Sequence, residues 1–315
     1  MYLIKIKNLP VSICLLAMFA TFCFSGPIKP SSQDAKDDFG KIVSLSKPPE
    51  RMIVLSGTTI DEFYALGVGD RMVGVLDNVC KNYPATCRKY PALAGLPNVG
   101  SWSNPNIEVI VNLKPDLIIA YDSEDRPGQY TAALKKTGIP FAAFTTVNNT
   151  AYGLQQLQKM GALLSRQKEA AALVYQINRE MDSLTKAIAI HSKDKPKVFY
   201  WWGTRNGTYG KRAAVNELIE RAGGSSITAE FDKQYFEAST EFIVDKNPDV
   251  IVYSYWEENQ INARKDELMH RPGLASVSAI KNGRVYPIDG HILHTVLLFP
   301  EALKTMNHYF HPLQN

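Results

Sequence analysis

Asp289-Gly-His291-Ile-Leu-His294 places two imidazoles three residues apart behind a carboxylate. On a helix that spacing could hold a metal, whereas on a loop such a pair more often forms hydrogen bonds or contacts a ligand. An exported metal-dependent hydrolase using Asp289, His291 and His294 is therefore one class the residues allow. The rest of that chemistry is missing: no Gly-x-Ser-x-Gly elbow joins a strand to a helix, and no paired-histidine zinc helix is present. Gly67-Val-Gly69 has the look of a dinucleotide loop, but it follows a helical stretch and reads as a helix stop. Thr208-Tyr-Gly-Lys211 lies between a strand and a helix, yet Arg212 stands where a phosphate loop needs a hydroxyl for magnesium. No catalytic residue, and no metal or cofactor of the chain's own, is expected from these motifs.

Aromatic residues at strand ends are more informative, because open parallel sheets bind ligands at their carboxyl edge. Tyr121 follows the apolar run 117–120, and Trp202 closes the run 198–202 just before Gly203-Thr-Arg205-Asn-Gly-Thr-Tyr209. Trp102 sits in a Gly-Ser-Trp-Ser-Asn-Pro turn, and Tyr83 follows Cys80. Core packing accounts for any one of these rings; several together on facing lobes favour a pocket for a large, flat ligand. Arg205 and Arg212 could neutralise an anionic ligand through forked hydrogen bonds, and His291 and His294 are further candidate contacts.

These residues need elements to hold them, and an internal repeat supplies the plan. Glu108-Val-Ile-Val-Asn-Leu-Lys-Pro-Asp-Leu-Ile-Ile and Glu241-Phe-Ile-Val-Asp-Lys-Asn-Pro-Asp-Val-Ile-Val share one pattern. Each reads as a short helix opened by a glutamate, stopped by a Pro and followed by a buried strand. The copies are too far apart for a solenoid and suit one α/β lobe each. The recurrence of the glutamates can be inherited from duplication alone, and it also places two matching negative points on one face of the molecule, which would suit a two-fold symmetric receptor. Apolar runs at 52–55, 72–75, 117–120 and 141–144 in the first lobe, and at 198–202, 250–253 and 285–288 in the second, alternate with helical stretches such as 129–137. Mainly parallel sheets covered on both faces are expected. Residues 152–194 carry two helical stripes, the second predicting a helix about 35 Å long that can join the lobes, the alternative being two ordinary surface helices of the first lobe. The expected segments are residues 40–151, this helical link 152–194, and a second lobe 195–315.

Ahead of them, residues 1–25 read as a cleaved secretory signal: Lys5 and Lys7 precede an apolar stretch shorter than the roughly 20 residues of a membrane span. Lipidation at Cys23 is the alternative, weakened by the bulky Phe22. Residues 26–39, rich in Pro, Ser, Lys and Asp, read as a flexible arm. The formal charge is +4 over 315 residues, two of the positive charges lying on the leader lysines, which gives no reason to expect nucleic acid. Cys80 and Cys87 remain beyond the leader, and an even pair in an exported protein reads as a disulfide; the six-residue gap is not usual zinc spacing.

Pro49-Glu-Arg-Met-Ile-Val-Leu, Glu62-Phe-Tyr-Ala-Leu-Gly, Val73-Gly-Val, Tyr83-Pro, Pro105-Asn-Ile-Glu108, Ala222-Gly-Gly, the two Pro-Asp repeats and Ala279-Ile-Lys-Asn-Gly-Arg-Val-Tyr together resemble the Fe/B12 type of periplasmic binding protein over about residues 45–312. The resemblance implies a class III fold, two α/β lobes joined by one rigid helix, with a metal chelate held between them for an ABC importer. It implies that Glu108 and Glu241 dock onto the permease dimer; a monomer is expected. The leading expectation for the cargo is an iron complex of siderophore type; cobalamin, haem, or chelated nickel or an oxoanion are alternatives. The segment around Tyr83, Trp102, Trp202 and Tyr235 is similar to the aromatic lining of the cobalamin-binding branch, from which His291, His294 and the Cys80–Cys87 insertion depart.

Overall fold

The computed structural model describes residues 33–122, 128–191, 194–203 and 205–312. The expected leader, including Cys23, and the first part of the expected arm lie outside the described residues. Two four-stranded sheets, each entirely parallel, organise the chain. In the first lobe Met52–Leu55, Met72–Val75, Leu117–Tyr121 and Phe141–Phe144 succeed one another in sequence and stand in the spatial order second, first, third, fourth. The second lobe repeats that order with Lys197–Trp201, Ser225–Ser226, Val250–Tyr255 and Val285–Asp289. Met52–Leu55 is buried at every position, as expected of a strand covered on both faces.

The sequence repeat is a geometric repeat as well. Asn106 caps the helix Ile107–Asn112 by accepting from the Val109 amide, and Ser239 caps Thr240–Lys246 by accepting from the Phe242 amide. Each helix is followed by a residue of left-handed backbone, Lys114 at φ 47° and Asn247 at φ 44°, and then by the Pro that cannot extend it. The next residue clips the incoming strand to its neighbour. The Asp116 amide donates to Arg51 O at 2.9 Å while its carboxylate accepts from the Glu50 and Arg51 amides; Asp249 donates to Lys197 O at 2.8 Å and accepts from the Lys197 amide at 2.8 Å. The ladders Leu117 to Met52 and Val250 to Val198 start from those clips.

Thr150–Leu163 leads into the 25-residue helix Gln167–His191, about 38 Å long at 1.5 Å per residue. The long helix packs on Thr150–Leu163 and on Phe299–Phe310, the latter also lying against the second-lobe helix Ala214–Arg221. Glu180 accepts from Lys304 at 2.7 Å, and Asp182 pairs with Arg221 at 3.3 Å.

Two expectations need correction. The arm expected over residues 26–39 is structured where it is described: Gln33–Lys36 pairs antiparallel with Ile42–Leu45. Its acids have specific partners, which composition does not show. Asp37 accepts from the Lys41 and Ala143 amides, and Asp38 pairs with Lys159 at 2.8 Å, so the hairpin is stitched to the edge of the first sheet. The helix expected over 129–137 shortens to Ala132–Lys135. The remainder of that stretch serves Asp122, which accepts from the Gly128 amide and the Thr131 hydroxyl.

Candidate functional site

In a sheet of this order the connections reverse direction between the first and third strands, and a crevice opens at their carboxyl ends. The first lobe presents there the loop Ser56-Gly57-Thr58-Thr59, after Leu55, and Tyr121; the second presents Trp202 and Trp256. These residues wall one cavity of about 270 Å³ between the lobes. Tyr83, Trp102 and the Phe144-Thr-Thr-Val147 strand end complete it from the first lobe, Tyr209 and His294 from the second.

Two glycines make room for the rings. A Cβ on Gly57 would lie 2.0 Å from the Tyr83 ring, and one on Gly290 would lie 2.8 Å from Trp256, so both aromatics rest directly on backbone. Tyr83 meets Trp256 edge-on at 5.8 Å across the lobes, Trp256 stacks with His294 at 5.5 Å, and Trp102 meets Tyr121 edge-on at 5.1 Å. The Trp202 carbonyl is held by Ser254 and Arg264, while its indole N–H has no partner among the described residues.

The wall is rich in hydrogen-bonding groups and poor in charge. No Lys or Arg among the described residues lines it. Burial pushes the Glu62 carboxyl up to about 8, with the neighbouring Asp61 carboxylate adding to the effect against a hydrogen bond from Thr295. Burial pushes the His294 imidazole down to about 4 and the Tyr83 phenol up to about 12. At neutral pH the described wall therefore carries no net charge.

The structure brings Tyr83, Trp102, Tyr121, Trp202, Tyr209 and His294 together around this cavity. Tyr235 lies outside the wall, half-exposed and edge-on to Trp202 at 5.5 Å and to Tyr209 at 6.0 Å. Arg205 lies outside the described wall: its backbone is left-handed at φ 58°, and its side chain pairs with Glu237 at 3.4 Å. His291 lies outside it too. It lies behind Tyr83, buried, with Nε2 2.9 Å from Asp61 Oδ2 and 3.3 Å from Thr86 Oγ1. Asp289 accepts from the His291 amide and so caps the turn Gly290–Leu293; the hydrolase constellation is not assembled.

Sequence reasoning missed Trp256 and Glu62. Trp256 was within reach, since it follows the strand of the second repeat as Tyr121 ends that of the first. Glu62 carried no such signal, because a buried carboxylate and a solvated one look alike in a first helical turn. The Cys80–Cys87 disulfide is formed; it staples Val79–Asn82 to Pro84–Lys89, with Tyr83 inside the closed loop. Glu108 and Glu241 are exposed in the first turns of the two repeat helices, and neither lines the cavity.

The pattern of one protein family, described as periplasmic binding protein, matches residues 52–291, from the first core strand to the turn behind the cavity. The chain belongs to that family. Among relatives of this binding protein, an uncharacterized ABC transporter substrate-binding lipoprotein of Bacillus subtilis is 26% identical over 251 residues, covering 78% of this chain and 75% of the relative. A vitamin B12-binding protein of Yersinia pestis is 31% identical over 211 residues, 65% of this chain and 69% of the relative. Among solved structures, the periplasmic heme-binding protein of Roseiflexus in its apo form superposes with a TM-score of 0.71 over 83% of this chain and 97% of that one, at 24% identity. The two-lobed fold of this binding protein is thus the fold of the family.

Proposed function

We propose that the protein is the periplasmic binding component of an ABC importer and that its cargo is an uncharged metal chelate, a corrinoid in the first place. The observation that carries this reading is the cleft itself: aromatic faces from both lobes, neutral hydrogen-bonding groups between them, and no cation among the described wall residues. Burying an anionic chelate against such a wall would leave its charge unpaired, at a cost of several kcal/mol. Haem propionates, catecholate complexes and oxoanions fit poorly for that reason. A corrinoid presents a broad face for stacking and a rim of neutral amides, which suits tryptophans and tyrosines interleaved with threonines. The vitamin B12-binding relative supports the same choice.

The iron complex is the second reading, and the size of the cavity favours it. A ferric tris-hydroxamate is neutral because three monoanionic ligands balance the metal, and it is compact enough to enter about 270 Å³ more completely than a corrin ring would.

Titrating the protein with cyanocobalamin, a ferric tris-hydroxamate and haem, read by tryptophan fluorescence, tests both readings. Trp102, Trp202 and Trp256 all line the cleft, so an occupant should quench them. Replacing any one by Ala should weaken binding by about 5-fold to 150-fold through lost apolar contact of roughly 1 to 3 kcal/mol. Saturable binding of haem alone would refute the uncharged-cargo reading.

A further inference from the structure

Glu62 is the one acidic side chain among the described residues of the cavity wall, and it is 3% exposed. Its Oε1 accepts from the Thr295 hydroxyl at 3.0 Å across the lobe boundary, while Oε2 has no hydrogen-bond partner among the described residues. Native interiors rarely strand such an atom, and one in the wall of a ligand cavity calls for an explanation. We propose that Glu62 is a hydrogen-bond donor of the binding site, offering the proton on Oε2 to a carbonyl oxygen of the bound chelate. This rests on the proposed cargo, since both an amide-rimmed corrinoid and a tris-hydroxamate present neutral oxygen acceptors.

The surroundings keep the carboxyl in its acid form. On its own helix, Ile60–Ala65, the nearest charge is Asp61, which repels a second negative charge. Asp61 is itself compensated by Lys89 at 3.1 Å and by His291 at 2.9 Å, so neither is available to Glu62. From the facing lobe come Thr295, a neutral donor, and His294, whose imidazole burial holds uncharged at pH 7. Tyr83 and Tyr209, the phenols of the same wall, are neutral there too. With no cation facing it, the carboxyl ionises only near pH 8, and the anion has no proton to donate. With Oε1 already accepting from Thr295, a carboxylic acid here favours a ligand that presents an acceptor over one that presents a donor at this point.

The experiment is a pH series of affinity for cyanocobalamin and for a ferric tris-hydroxamate, from pH 6 to pH 9.5, in wild type, Glu62→Gln and Glu62→Met. Wild-type affinity should hold up to about pH 8 and then fall by about tenfold per pH unit. Glu62→Gln keeps a donor that cannot ionise, and should bind within about threefold of the neutral-pH wild type with no alkaline fall. Glu62→Met should bind about tenfold more weakly at every pH, again without the fall. A flat wild-type profile, or a Met variant that matches wild type at pH 7, overturns the proposal. Infrared difference spectra give a readout free of ligand: a protonated carboxyl stretch present at pH 7 in wild type and missing in folded Glu62→Gln supports it, and its absence from wild type overturns it. If neither chelate binds wild type at pH 7, the cargo reading fails, and the infrared band alone decides whether Glu62 holds a proton to donate.

Discussion

Asp61 and His291, 230 positions apart in sequence, meet at 2.9 Å in a pocket almost closed to solvent on the far side of the binding cavity's Tyr83. The Asp61 carboxylate can only accept, so Nε2 of His291 donates in this contact, while Nδ1 has no partner among the described residues. Burial alone would raise the Asp61 pKa; the hydrogen bonds from His291 and Lys89 outweigh it and hold the carboxyl at about 2. Because the folded value lies below the ordinary 3.8, the stabilisation is present above pH 3.8 and lost as pH falls toward 2. Asp61→Asn and His291→Ala should each cost about 2 kcal/mol in urea unfolding at pH 7, and the double variant should cost much less than their sum. Strict additivity would show that this contact does not tie the lobes together.

The disulfide acts on the same boundary. The helices it staples carry Thr86 and Lys89 to Asp61, and Arg88 to Glu258 of the second lobe at 2.8 Å. Closing so short a loop is worth about 2.5 kcal/mol on the chain-entropy account. Replacing both cysteines by Ser should lower the melting temperature and weaken chelate binding together, because Tyr83 lies within the bridged loop. Reduced stability with unchanged affinity would confine the bridge to a folding role, and two free thiols in protein isolated under oxidising conditions would refute the bridge itself.

Much of this plan was legible in the chain before any coordinates. The Pro-Asp repeat located both lobes because its chemistry is local: a capped helix, a left-handed stop, a proline and a clip. Continuous apolar runs marked the central strands for the same reason. The hairpin from Gln33 was hidden because what orders it is distant, Asp38 reaching Lys159 and Asp37 reaching Ala143. His291 and His294 show the same divide at the site. Their spacing says nothing about Asp61, which captures one ring, or Trp256, which stacks on the other.

Glu62 and His294 give stability a sloping pH profile. Glu62 has an ordinary value of 4.5 and about 8 in the fold, so its contribution is complete below pH 4.5 and lost as pH rises through 8. His294 runs the other way, from 6.5 to about 4, and its contribution is lost as pH falls from 6.5 toward 4. The two slopes oppose each other between pH 4.5 and 6.5, and above 6.5 only that of Glu62 remains. Wild type should lose up to about 2 kcal/mol between pH 6.5 and 8, and Glu62→Gln should not. Parallel unfolding curves for the two proteins across that window would contradict the burial argument.

We propose that docking is separable from cargo binding and runs through Glu108 and Glu241, which sit in equivalent first turns of equivalent helices and take no part in the described cavity wall. Two exposed carboxylates repeated with the lobes offer matching contacts to a two-fold permease, each suited to an arginine fork. Removing one partner of such a pair, once desolvated in a complex, costs roughly 2 to 5 kcal/mol. Reversing both to Arg should therefore abolish chelate uptake in vesicles reconstituted with the importer, while solution affinity for the chelate stays within about twofold, since distant sites act independently. Single reversals should give intermediate transport, because one lobe would still engage its half of the permease. Normal uptake by the double variant, or a fall in affinity that parallels the loss of uptake, would exclude these glutamates as the docking contacts.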